Sequence, residues 1–165
     1  MKWLIPLLLL ASACTPTRSV GGAAAPTYAA DGKLSLEYES GGPWSFTLVL
    51  EQCKECKTDQ GTTWWGNENA APEHAIAEVR VKHAGRDVAV PRSAYADLTN
   101  VRSASIEGAP NGFDLVINGG QSAASFVATL TFRNGALVKR TVASRLFPDN
   151  AYETTTYHQQ WPEDM

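Results

Sequence analysis

Cys53-Lys54-Glu55-Cys56 is the first group in this 165-residue chain whose residue types and spacing suit a reaction. A Cys-x-x-Cys pair exchanges thiol for disulfide when a helix N-terminus lowers the pKa of its first thiol. Here the pair follows a run with strand character and leads into polar loop, without the strand–helix–strand context of a thioredoxin-like enzyme. It reads as a small structural disulfide that pins a loop, for which chain entropy gives roughly 2 kcal/mol before strain. Zinc would need a second ligand pair at motif spacing, and the sequence has none. His74, His83 and His158 each stand alone, and polar surface positions account for them. No serine lies in a Gly-x-Ser-x-Gly elbow, and no glycine-rich phosphate loop opens a helix. Asp97, Glu107, Asp114 and Glu153 are scattered, and nothing in the sequence nominates a pair among them. The sequence therefore assigns no catalytic residue, no metal ligand and no cofactor.

Trp64-Trp65, within Gly61–Asn69, is a different kind of signal. Adjacent strand residues face opposite sides, so two neighbouring indoles share one core only where the backbone twists sharply. Either one ring is exposed as an anchor for a partner, or both pack under a long loop. Exposed Trp is a common interface anchor, which makes Trp64 and Trp65 the candidate partner-binding residues. A disulfide in the same loop would lower the ordering entropy lost on binding.

The elements that must position these residues read as strands. In Lys33–Glu39, Leu34, Leu36 and Tyr38 share a face; in Trp44–Glu51, Trp44, Phe46, Leu48 and Leu50 do. Ser40-Gly41-Gly42-Pro43 joins the two as an antiparallel hairpin. Gln52–His74 is polar and loop-like. Ile76–His83 follows with Ala77, Val79 and Val81 alternating, then a turn at Ala84-Gly85 and a short run over Arg86–Val90. Pro91–Leu98 suits a helical turn or two, since proline is favoured at a first helical position. Val101–Glu107 is a weak strand, and Phe113–Asn118 a clear one with Phe113, Leu115 and Ile117 on one face.

Asn134-Gly135 specifies a type I′ turn between Ser125–Arg133 and Ala136–Phe147. It sets Phe132 opposite Leu137 and Thr131 opposite Val138. Further out, Leu130 would sit beside Lys139, a conflict that a bulge or a sheet covered on both faces would resolve. Tyr152–His158 is a last strand. The class is all-β: a single small sandwich or barrel of about eight to ten mostly antiparallel strands, with at most one short helix near residues 91–98.

At the other end of the chain, Met1–Cys14 sets one positive charge before an apolar run that ends in Ala11-Ser12-Ala13-Cys14. That is the layout of a secretory signal peptide, and the run is about half the roughly 20 residues that span a bilayer. Ala11-Ser12-Ala13 satisfies the small-x-small rule of ordinary signal peptidase, which would release a soluble protein. With Cys14 the stretch also resembles the bacterial lipoprotein signal, whose lipobox ends in a cysteine that is acylated and becomes the new N-terminus. Lipoproteins prefer Leu, Val or Ile three residues before that cysteine; here Ala11 stands there, with Leu10 one place earlier. The resemblance implies lipidation at Cys14. It further implies export to the outer membrane in a Gram-negative host, because Thr15 stands where Asp would retain the protein. The cysteine count agrees: of three cysteines, acylation of Cys14 removes the odd one and leaves Cys53 with Cys56.

Four segments follow: a signal peptide over 1–13, a lipidated cysteine and flexible tether over 14–32, a β domain over 33–158 and a loose tail over 159–165. The tether is rich in small residues and proline, and as a coil it would span roughly 20–25 Å. Net charge is −3, and −4 once residues 1–13, which carry only Lys2, are removed. That acidity gives no electrostatic case for nucleic acid or for anionic headgroups. In outline, a small all-β lipoprotein with a disulfide is similar to periplasmic lysozyme inhibitors and to immunity lipoproteins that neutralise imported toxins. The expectation is a lipid-anchored envelope protein at the periplasmic face of the outer membrane, held to the bilayer through Cys14. It acts as a non-catalytic binding module, of which an inhibitor or immunity protein for an envelope-acting partner is one form. An envelope scaffold or assembly lipoprotein is the alternative, and a thiol–disulfide oxidoreductase using Cys53 and Cys56 stands behind both.

Overall fold

Ten strands form two five-stranded antiparallel sheets in a computed structural model that describes residues 43–53, 64–67 and 71–158, with the backbone of 26–28 and 34–39. The first sheet takes β1 (Pro26–Tyr28), β2 (Leu34–Glu39), β3 (Trp44–Gln52), β4 (His74–His83) and β5 (Arg86–Val88) in simple order. The second runs β10 (Ala151–Thr156), β9 (Ala136–Ser144), β8 (Phe126–Arg133), β7 (Gly112–Gly119) and β6 (Val101–Ala109). Each sheet is a meander, and the architecture is a sandwich, not a closed barrel. The chain passes between the sheets once, over residues 89–100.

Alternation builds the core as the sequence implies. Phe46, Leu48 and Leu50 of β3, Phe113, Leu115 and Ile117 of β7, and Phe126, Ala128, Leu130 and Phe132 of β8 are all buried. Phe113 stacks on Phe132 with centroids 4.6 Å apart, and Trp44 of β3 meets Phe113 of β7 at 4.6 Å, joining the two sheets. His83 is more than a surface residue, because its ring stacks on Trp44 at 4.0 Å.

Several details depart from the sequence reading. On β4, Ile76 takes the place expected for Ala77: the β3–β4 register shifts between Val49 and Leu50, so Ile76, Val79 and Val81 face inward. Inside the expected tether, Pro26–Tyr28 pairs antiparallel with Leu34–Leu36 as an edge strand. Proline is tolerated there because it opens a strand at a sheet edge. The helical turn expected at 91–98 is a single 3-10 turn, Arg92–Ala94, with Pro91 just ahead of it, and Ser122–Ala124 adds a second. The run expected as strand to Phe147 stops at Ser144. The signal stretch, Cys14, Cys56 and the tail 159–165 lie outside the described residues.

The conflict around Leu130 is resolved by a bulge. Asn134 and Gly135 have φ of 52° and 82°, the left-handed pair that a type I′ turn demands, and Phe132 faces Leu137 as expected. The register then slips, so Thr131 faces Lys139 and not Val138, and Leu130 faces Arg140. Below the bulge, the inward face of β9 carries Leu137, Arg140 and Val142, all buried. One extra residue has turned an arginine into the sandwich.

Candidate binding site at the loop-bearing end

Arg140 organises this site. Its side chain is only 2% exposed, and a guanidinium cannot shed its charge in a protein, so it must find partners. It finds two carboxylates. Nη2 donates to both Asp97 oxygens, at 2.7 and 2.6 Å, and Nη1 donates to Oε1 of Glu153. Asp97 belongs to the crossover between sheets and Glu153 to β10, so the network ties three parts of the chain together. Nε of Arg140 is buried with no partner among the described residues.

Trp65 closes the network into a ring. Its indole N–H donates to Oε2 of Glu153 at 3.3 Å, and its backbone N–H donates to the Asp97 carbonyl at 2.9 Å. A parallel bridge then seats Trp65 against Leu98, and the Trp65 carbonyl accepts from the Thr99 N–H at 2.9 Å and the Thr99 hydroxyl at 2.6 Å. Asn100 completes the seat. Its side-chain amide donates to the Gly66 carbonyl at 3.1 Å, and its Oδ1 accepts from the Glu73 and His74 N–H groups at 3.0 and 3.3 Å. Gly66 sits at φ 98°, and a Cβ there would stand 2.4 Å from the Thr99 carbonyl oxygen. Only glycine lets the Trp65 turn lie this close to the crossover.

Trp64 and Trp65 are both half-buried, and both line one cavity of about 210 Å³ with Gly66, Asn67, Ala123, Ala124, Ser125, Ser144 and Tyr152. The two rings are not split between core and solvent, since both are half-buried. They share a wall because Trp65 is a single bridge residue followed by a left-handed turn, not part of a flat strand. Tyr152 lies nearly parallel to Trp65, with an 8° interplanar angle and centroids 6.2 Å apart.

Beside the cavity the β9–β10 loop exposes apolar side chains between the exposed Arg145 and Asp149. The exposed large hydrophobics among the described residues are Leu146, Phe147 and Tyr152, at 67, 59 and 62% exposure, all within seven residues. Their loop is held by its own turns: the Leu146 and Phe147 N–H groups donate to the Ser144 hydroxyl and carbonyl, and the Asn150 N–H to the Phe147 carbonyl. Exposure here is fixed by a turn structure. Near the end of β10, Tyr157 has a buried hydroxyl with no hydrogen-bond partner in good geometry among the described residues; burial foremost raises its pKa above the usual 10.0, opposed by the nearby Ser93 hydroxyl.

The other charged residues do not join this site. Asp114 pairs with Arg133 at 2.9 Å, and Glu107 lies opposite Asp114 in the β6–β7 ladder. His74 contributes backbone only, and no group of three His, Cys, Asp or Glu able to hold a metal ion occurs among the described residues. Cys53 sits just past β3, its N–H donating to the Glu73 carbonyl at 2.9 Å. Among the described residues no helix is long and apolar enough to cross a membrane. Sequence reasoning named Asp97 and Glu153 without pairing them, and missed Arg140; the unresolved Leu130–Lys139 register was the signal for it. Comparison with protein-family models, with curated proteins and with solved structures gives no match.

Proposed function

We propose that this protein is a lipid-anchored envelope binding module that engages a protein partner through the Trp64/Trp65/Tyr152 cavity and the apolar loop beside it. The observation that carries the reading is the fixed placement of Trp65, whose N–H, backbone and following glycine are all held by neighbours. Interface anchors are typically large aromatic side chains in preformed surroundings, because less rotamer freedom is then lost on association. The cavity is smaller than the ~300–1,000 Å³ of drug-sized ligand sites, and so suits one side chain of a larger partner. Asp97 and Glu153 both serve Arg140, which favours a structural over an acid–base role for them. The anchor at Cys14 rests on the lipobox and on the odd cysteine count. Cys53 is disulfide-bonded, which supports the expected pairing with Cys56.

A photoactivatable side chain placed at position 152, with a second variant carrying it at exposed Arg80 on β4, tests the binding face in the native envelope. The reading expects a discrete adduct from position 152, absent at position 80 and lost on Trp64→Ala/Trp65→Ala. Equal labelling from both positions, or none from 152, would overturn it. The intact mass of the mature protein tests the anchor: acyl chains on Cys14 are expected, and an unmodified chain would refute it.

A further inference from the structure

We infer that the partner binds as an extended segment added to the free edge of β10, with one apolar side chain entering the Trp64/Trp65 cavity. The inference rests on the reading of this end as the binding face and deepens it, by naming the form the partner takes. Its independent support lies in how the four sheet edges differ. Unpaired edges recruit other strands, and proteins blunt them with short length, charge, proline or irregular register.

Three edges here are blunted. β1 has three residues and opens with Pro26; β5 has three residues, two of them the exposed Arg86 and Asp87. β6 carries the exposed charges Arg102 and Glu107, with no inward partner for either among the described residues. β10 has six residues with a register shift at its start, between Ala151 and Glu153, and its one charge, Glu153, turns inward to Arg140. What remains outward is Tyr152, Thr154 and Thr156, uncharged side chains that favour strands.

The bonding pattern locates the open groups. Tyr157 donates its N–H to Val138 of the β9 side, so by the two-residue period Thr155 and Glu153 also bond inward. The N–H and C=O of Thr154 and Thr156 point outward, and no hydrogen bond from either backbone to the outer side occurs among the described residues. Strand addition draws affinity from such main-chain groups and specificity from pockets that take side chains. Here the cavity, walled partly by Tyr152, lies at the start of the same edge. A strand laid along β10 reaches the cavity at its end, and the exposed Leu146–Phe147 turn flanks that point.

The test uses a pool of synthetic peptides about six residues long, the length of β10, alternating Thr with Leu, Phe, Val or Gln. Thr154→Pro removes one outward N–H, and proline is tolerated at such an edge position. The inference expects peptides with a terminal Leu or Phe to bind, and Thr154→Pro to weaken them about tenfold or more. Trp64→Ala/Trp65→Ala should erase the preference for the apolar residue. Amide exchange on the wild-type protein reads the same contact without any variant: Thr154 and Thr156 gain protection with peptide, while Thr155 is unchanged. No binding from the pool, binding indifferent to Thr154→Pro, or no gain at Thr154 and Thr156 would overturn it. So would a dimer of this chain that Thr154→Pro dissolves, since the edge would then serve a second copy. An adduct from position 152 without protection at Thr154 leaves the binding face standing and removes strand addition alone; loss of that adduct removes the face itself.

Discussion

The two ends of this sandwich are built by opposite rules. At one end lie the connections β4–β5, β6–β7 and β8–β9, each a tight two-residue turn: Ala84-Gly85, Pro110-Asn111 and Asn134-Gly135. Left-handed residues close them. At the other end lie the crossover, the Trp65 turn and the β9–β10 loop, long enough to carry side chains that no ladder needs. Short turns fix the strands; the longer connections spend that rigidity on holding Trp65, Asp97 and Tyr152 in place. Arg140 is where the two meet. The bulge beside the Asn134-Gly135 hairpin turns it inward, and from there it grips the loops of the far end.

Substitutions at the two ends should therefore behave differently. Arg140→Ala leaves Asp97 and Glu153 without their cation, and should destabilise the fold by about 3 kcal/mol in urea titration. If the loss is under about 1 kcal/mol, the network is not what unites the loops. Trp64→Ala/Trp65→Ala should weaken partner binding by more than about 2 kcal/mol in competition binding. Gly66→Ala sets a Cβ against the Thr99 carbonyl at a positive φ, and should cost about 2 kcal/mol of stability while reducing binding.

Gly135→Ala supplies the contrast. Its φ is also positive, but nothing lies within 4 Å of the added Cβ, so about 1 kcal/mol should be lost with binding intact. Equal binding defects in the two glycine variants would erase the distinction between the ends. The smallest effect concerns Tyr157. Its folded pKa is raised, so the unfolded chain loses this proton first as pH climbs. The stabilising contribution is whole below pH 10.0 and declines above it, and Tyr157→Phe should flatten that decline in alkaline denaturation curves.

Most of the framework could be read from residues. Alternation in Phe46–Leu50 and Phe113–Ile117 marked the inward faces, and Asn134-Gly135 marked its hairpin. What stayed hidden were events that shift a strand by one residue. A bulge exchanges inside for outside: Ile76 replaced Ala77 with no local sequence mark, and Arg140 entered the core at a bulge that only the Leu130–Lys139 conflict signalled. Trp64 and Trp65 stood out as candidates in the sequence, whereas Tyr152, Leu146 and Phe147 did not, because they read as ordinary strand residues. The meeting of Asp97 with Glu153 depends on contacts 43 and 13 residues from Arg140 in sequence, which no short-range pattern records.

The account turns on whether Trp65 is held in place before any partner arrives. Nitrogen-15 relaxation and hydrogen exchange of its indole N–H in the free protein measure this directly. A clamped ring predicts an order parameter near that of rigid backbone, about 0.85, with slow exchange, both lost in Glu153→Ala. An order parameter below about 0.6 with rapid exchange in the wild-type protein would contradict it.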